Sequence, residues 1–244
     1  MPPNPPVAFH APLFHDLVTS LVATERHVVL DLGAASTAML ALLGQSRCRV
    51  EIVDLAHFDG VDRLNTTEPG LAQRDAANVL LPNRLADDAF DLVFCWDFPN
   101  YLTLSALSAL MSTIAHRARP GAVAHALIHY AERDMREHPS RFVPTAAGDE
   151  LIDNSATRGT IAAPRYSPEE LDKGMGPFVL DRARLLSNGL QDVNRVAVEV
   201  GIIAGCERDP AIEHLDESGA LRDLAGVRQD EEGLVLLAIP NGLL

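Results

Sequence analysis

Between Val28 and His129 the chain alternates short apolar runs with stretches of helical periodicity, and this alternation narrows the fold more than any other feature. Val28-Val29-Leu30-Asp31-Leu32-Gly33 is a β-branched run closed by a glycine and predicts a buried strand. Ser36 to Leu43 reads as a helix with Ser36 or Thr37 as its N-cap, and Arg49 to Leu55 as a second strand. Residues 56 to 84 are polar and weakly periodic, and one helix and one weak strand are expected there. Phe90 to Asp97 is a further clear strand. A helix from about Ser105 to Ala118 follows, stopped by Arg119-Pro120-Gly121, and Ala122 to His129 is small and apolar enough for another core strand. Strands and helices alternating at this pitch imply right-handed βαβ units around a parallel sheet. The expected fold class is α/β: Rossmann-like and doubly wound, a mostly parallel sheet with helices on both faces.

The flanks add detail. Prolines at four of the first six positions make residues 1–11 a flexible Pro-rich tail. Leu13, Phe14, Leu17, Val18, Leu21 and Val22 recur at spacings of three and four, so an amphipathic helix is expected from about Pro12 to Thr24. Residues 131–165 are charged, contain Pro139, Pro144 and Pro164, and read as a lid-like insertion. Ser167-Pro168-Glu169-Glu170-Leu171 opens a helix, with Ser167 as cap and Pro168 at the first helical position. Asn188-Gly189 between Phe178–Leu186 and Gln191–Val200 is a hairpin signal, giving the sheet an antiparallel C-terminal edge. Residues 207–232 hold nine acids against three arginines and read as an acidic surface segment, after which Gly233 to Pro240 returns as a last strand. A single domain over 12–244 accommodates these elements.

Charge removes several function classes. Basic residues number 20 against 34 acidic ones, a net charge of −14, and the only lysine is Lys173. A nucleic-acid binder needs a cationic face to displace counterions from phosphate, and no basic stripe exists here. Nucleic acid and membrane surfaces are therefore not expected partners. Cys48, Cys95 and Cys206 are far apart without a C-x-x-C pair, which argues for a reducing compartment and against a disulfide framework or zinc site. No apolar run reaches about 18 residues, and the first residues lack the charged and apolar regions of a signal peptide. A cytoplasmic location is expected.

Two acids lie where a doubly wound sheet places its ligand. Asp31 ends the first strand just before Gly33, and Asp54 ends the second, 23 residues later. A separation of about 20 is expected between a glycine loop and a ribose-binding acid. Small residues at Gly33, Ala34 and Ala35 let backbone N–H groups approach a ligand. There is no G-x-G-x-x-G, which disfavours a nicotinamide dinucleotide and its pyrophosphate.

Taken in order, Val29-Leu30-Asp31-Leu32-Gly33, Val53-Asp54, Phe90-Asp91-Leu92-Val93 with Trp96-Asp97, and Arg119-Pro120-Gly121-Ala122 resemble the class I S-adenosylmethionine-dependent methyltransferases over about residues 25 to 130. A weaker likeness to a bacterial methyltransferase-like branch runs through Arg165–Leu171 and Leu185–Asp192. The resemblance implies S-adenosyl-L-methionine as cofactor and methyl transfer to an oxygen or nitrogen of an acceptor, a small molecule or else a protein. It implies cofactor contacts for Asp31, Gly33, Ala34, Ala35, Asp54, Leu55, Cys95 and Trp96, with Asn78 or Asp75 reaching the adenine amino group. Asn100, Tyr101 and Tyr130 would face the acceptor, and Asp97 and His129 are candidates for proton removal.

The same residues also have plainer readings. An acid inside an apolar strand is costly unless paired, which singles out Asp31. Trp96 also reads as a core plug, Asp97 as a helix cap and Cys95 as a small core residue. His125 and His129 share a strand face without a third ligand, so no metal site is expected. The family pattern D/E-x-G-x-G-x-G has Ala35 and Thr37 at its second and third glycines. An alanine held at positive φ costs about 1 kcal/mol, and the Ala35 methyl is expected to project toward the methionine moiety. This departure keeps a second reading open: a catalytically inactive methyltransferase-like protein serving as a binding or scaffold module.

Overall fold

A computed structural model describes residues 7–21, 23–56, 59–82, 88–130, 133–155, 159–164 and 166–198. The chain opens with β1 (Val7–His10) and α1 (Pro12–Thr19) and then enters the expected alternation. This comprises β2 (Arg26–Asp31), α2 (Thr37–Leu43), β3 (Arg47–Ile52), α3 (Gly60–Thr66), α4 (Leu71–Leu80) and β4 (Phe90–Trp96). A 3-10 turn over Phe98–Tyr101 leads into α5 (Leu104–Ala115) and β5 (Ala118–His129). Four short strands follow: β6 (Asp134–Arg136), β7 (Phe142–Pro144), β8 (Glu150–Asp153) and β9 (Thr160–Ala162). Then come α6 (Pro168–Met175), β10 (Phe178–Leu185) and β11 (Leu190–Ala197).

The central sheet has the order β10-β11-β5-β4-β2-β3. β3, β2, β4 and β5 are parallel, and β11 and β10 extend them as an antiparallel edge. The step from β2 to β3 runs one way along the sheet and the step from β4 to β5 the other. Right-handed crossovers therefore set α2 and α5 on opposite faces. Packing agrees: α4, α5 and α6 touch in series, while Phe14 of α1 meets Phe94, Trp96 and His125. The middle strands are covered on both sides, which is why Val28 to Leu30 and Leu92 to Trp96 are buried without alternation. The strand order reverses between β2 and β4, and their carboxyl ends form the crevice where open α/β sheets take ligands.

Local signals hold where chemistry is local. The Ser36 hydroxyl accepts the Met39 N–H at 3.4 Å, and Ser167 with Glu170 forms a full capping box. Gly189, at φ +80°, turns the β10–β11 hairpin.

Elsewhere the structure corrects the expectations. Residues 7–10, expected to belong to a flexible tail, instead form a strand that pairs antiparallel with Glu150–Asp153. Residues 59–82 contain two helices and no strand. Arg119-Pro120-Gly121 lies within β5: the ladder shifts register between Phe90 and Leu92, and Gly121 takes φ +84° in that irregularity. The insertion is not a bare loop. It forms the sheet β1-β8-β7 and the ladder β6-β9. The acidic segment at 207–232 and the strand expected at 233–240 lie outside the described residues.

Candidate functional site

Asp31 closes β2 and is buried, yet it is well supplied with donors. Its Oδ1 accepts the Gly33 N–H at 2.9 Å and the Trp96 indole N–H at 2.6 Å. Burial raises its carboxyl to about 6, against the lowering effect of those two bonds. The indole reaches Asp31 by lying directly over Gly33. A Cβ built on Gly33 would stand 2.7 Å from both Trp96 Cδ1 and Nε1. Glycine is needed here for close approach, not for an unusual backbone.

Trp96 itself adopts φ 50°, a left-handed conformation that non-glycine residues rarely take. Its ring stacks with Phe94 at 5.7 Å and with Phe142 at 6.0 Å, and Phe9 meets Phe142 edge-on at 5.8 Å. β1 and the insertion thus cover the aromatic ring that covers the glycine loop. In this conformation the loop does not fit a ligand on Gly33, since the indole holds both the space and one oxygen of Asp31.

The remaining candidates fall into three groups. The first stays near the crevice. Asp54 follows β3, and its charge contributes to raising Asp31. Leu55 is buried, and its N–H extends the ladder to the Leu32 carbonyl. Ala34 is half-buried and Ala35 exposed. Among the described residues only Asp59 and Trp96 combine a side chain with positive φ, so the strain expected at Ala35 is absent.

A second group is committed to holding the chain together. Asp97 is fully buried, and both its oxygens accept the Ser140 N–H, at 2.9 and 3.2 Å. Asn100 donates to the Asp97 and Leu127 carbonyls and accepts the His129 N–H. The Tyr101 hydroxyl meets the carbonyls of Arg136 and His138. Cys95 is buried in β4, which pushes its thiol up to about 12.

The third group is not brought to the crevice. Asn78 accepts a hydrogen bond from Arg117, whose carbonyl receives the N–H of Phe90 at the start of β4. Its helix has run back to the amino ends of the strands, the wrong end for an adenine contact. Asp75 is exposed on the same helix, and Tyr130 is exposed beyond β5. His129 is half-buried with its ring Nδ1 unpartnered, and burial lowers its pKa, which keeps the ring neutral at neutral pH. His125 is turned inward to Asp192, with Nε2 and Oδ1 2.8 Å apart.

A cavity of about 570 Å³ opens beside the loop after β4. Leu55, Asn100 and Tyr101 line it; Asp31, Gly33 and Asp54 do not. Its other walls come from α3, the insertion and the segment leading into α6, among them Asn65, Met135, Ile161 and Tyr166. Sequence reading missed these residues. Asn65 braces the loop by donating to the Tyr101 carbonyl and accepting the Thr103 N–H, and the Tyr166 hydroxyl donates to the Leu102 carbonyl. Only Tyr166 carried a signal, through its place in the Arg165–Leu171 stretch. Nothing local marked Phe142 or Ser140.

No protein-family model and no curated protein matches the sequence. Among solved structures the chain is similar to the 1,6-didemethyltoxoflavin-N1-methyltransferase of Burkholderia thailandensis, crystallised with 1,6-didemethyltoxoflavin and S-adenosylhomocysteine. That similarity has 14% identity over 78% of this chain and 76% of that one, with a TM-score of 0.42. It is also similar to the glycopeptide N-methyltransferase MtfA complexed with S-adenosyl-L-methionine, at 12% identity, 78% and 87% coverage and a TM-score of 0.42. A third is the N-methyltransferase NodS from Bradyrhizobium japonicum WM9, at 11% identity, 77% and 92% coverage and a TM-score of 0.43. The structural neighbours are thus S-adenosylmethionine-dependent methyltransferases, and the chain itself is a mixed α/β fold around a mostly parallel sheet.

Proposed function

We propose that the protein is an S-adenosylmethionine-dependent methyltransferase acting on an oxygen or nitrogen of a small-molecule acceptor. One observation carries this reading: the strand order brings Asp31, Gly33 and the end of β3 to the switch point between β2 and β4. That is where a doubly wound sheet binds a ligand, and it is where the sequence carries the acid and glycine of the methyltransferase pattern. The adjoining cavity has the size of a small-molecule site, about 300–1,000 Å³, which favours a small acceptor over a protein. Of the two candidates for proton removal, Asp97 is fully buried against Ser140 and His129 stands outside the crevice with its unpartnered Nδ1 buried, so neither reaches the cavity in this conformation. The cofactor when bound supplies an electrophilic methyl group; the chain's own task is alignment and exclusion of water.

A specific observation favours the second reading, a methyltransferase-like protein that binds without catalysing. Trp96 already fills the space over Gly33 and satisfies an oxygen of Asp31. Calorimetric titration with S-adenosylmethionine and S-adenosylhomocysteine separates the two. The enzyme reading expects binding, weakened about tenfold or more in Asp54→Ala, the loss of one good charged hydrogen bond. Absence of binding at millimolar ligand, in the wild type and in Trp96→Ala alike, would leave the scaffold reading.

A further inference from the structure

We infer that Trp96 is a displaceable gate on the glycine loop: its indole stands in the ligand's place over Gly33, and its N–H uses the carboxylate oxygen that a ligand's ammonium would take. The gate rests on the methyltransferase reading, because it presupposes that a cationic amino-acid moiety binds at this loop. Gly33 has an ordinary backbone, so what its missing side chain provides is room. The room is taken by the indole at 2.7 Å from the absent Cβ. No other donor at Oδ1 of Asp31 is removable, since the second is the loop's own Gly33 N–H. The indole N–H is a neutral donor, whereas a ligand ammonium offers the same carboxylate oxygen a hydrogen bond with charge on both partners. It can therefore compete for that position.

The closed position is also held under strain. Trp96 is left-handed at φ 50°, and a return to extended backbone would relieve it. What retains it is packing: Phe94 in β4, Phe14 of α1 and Phe142 from the insertion, with His125 edge-on. Phe142 is fixed by Phe9 of β1, so the insertion and the N-terminal strand set how readily the gate opens. A ring clamped between the sheet and a separately built cap, and bonded to the acid of the binding loop, fits a gate better than a simple core residue.

The chain contains one tryptophan, so its emission reports on this residue alone. Full-length protein is titrated with S-adenosylhomocysteine, following emission and heat in parallel, and Trp96→Phe and Trp96→Ala, which lack the fluorophore, are followed by heat alone. A gated site binds with its intrinsic dissociation constant divided by the open fraction. The expected results are a red-shifted, more quenchable emission on saturation and binding about tenfold or more tighter in Trp96→Ala. Binding to Trp96→Ala but not to the wild type supports the gate as well. Heat of binding without any change in emission overturns it and needs no variant, so a poorly folding substitution cannot obscure the result. Equal or weaker binding in both variants also overturns the gate while leaving the methyltransferase reading intact. Binding to none of the three proteins removes that reading, and the gate with it.

Discussion

Asp31, Gly33 and Trp96 explain one another. A buried carboxylate needs donors, the indole N–H is one of them, and only a residue without Cβ lets the indole come close enough. Gly33→Ala places a methyl group against the ring. The expected loss is about 1–3 kcal/mol, the usual cost of overpacking, read as a lower urea midpoint. That loss cannot exceed the free energy of turning the indole aside, so it also bounds the cost of opening without any ligand. In a double-mutant cycle the Trp96→Ala background should absorb most of it; equal losses in both backgrounds would refute the steric account. The glycine and the acid are legible in the sequence, as a strand ending in Asp-Leu-Gly. Their bond to Trp96 is not, because it spans 65 residues and depends on β4 settling beside β2.

The elements are joined by polar clasps that no element could supply alone. Helix α1 begins with Pro12, which has no N–H, after Ala11, which has no capping side chain. Asp192 of β11 accepts the Leu13 N–H at 2.7 Å in their place, and with its other oxygen holds His125. The turn after β4 is braced by Asn65 from α3 and tied to the insertion by Asp97 and Tyr101. Asp97 lends this junction a pH dependence. Burial raises its carboxyl to about 7 from an ordinary 3.8, so the folded state holds the proton more tightly than the unfolded chain. Its stabilising contribution is full below about pH 4, declines as the pH rises toward 7, and levels off above that. Asp31, raised to about 6, acts in the same direction. Urea unfolding should therefore show lower stability at pH 8 than at pH 5, with a smaller difference in Asp97→Asn, whose amide oxygen still accepts the Ser140 N–H. An undiminished difference in the variant would assign the proton to other groups.

On the scale of the whole molecule, two sheets meet through an aromatic contact. The small sheet β1-β8-β7 leans on the central one through Phe9, Phe142 and Trp96, and α2 packs against β7. Trp96 sits at that junction, so its emission and the far-UV ellipticity should report a single coincident unfolding transition. Two separated transitions would make the insertion an independently folding unit. The net charge of −14 is a matter of composition and does not set this architecture.

Alternating strand and helix periods, the serine caps, the Asn188-Gly189 turn and the acid–glycine strand end were all determined by the sequence alone. Each depends on residues within a few positions of one another, and steric and hydrogen-bonding preferences at that range act in any context. Tertiary structure alone decided that Val7–His10 would pair with Glu150–Asp153, that Asp97 would hold the insertion, and that an indole would occupy the glycine loop. Those outcomes arise where surfaces distant in sequence meet, and burial there sets which donor reaches which acid.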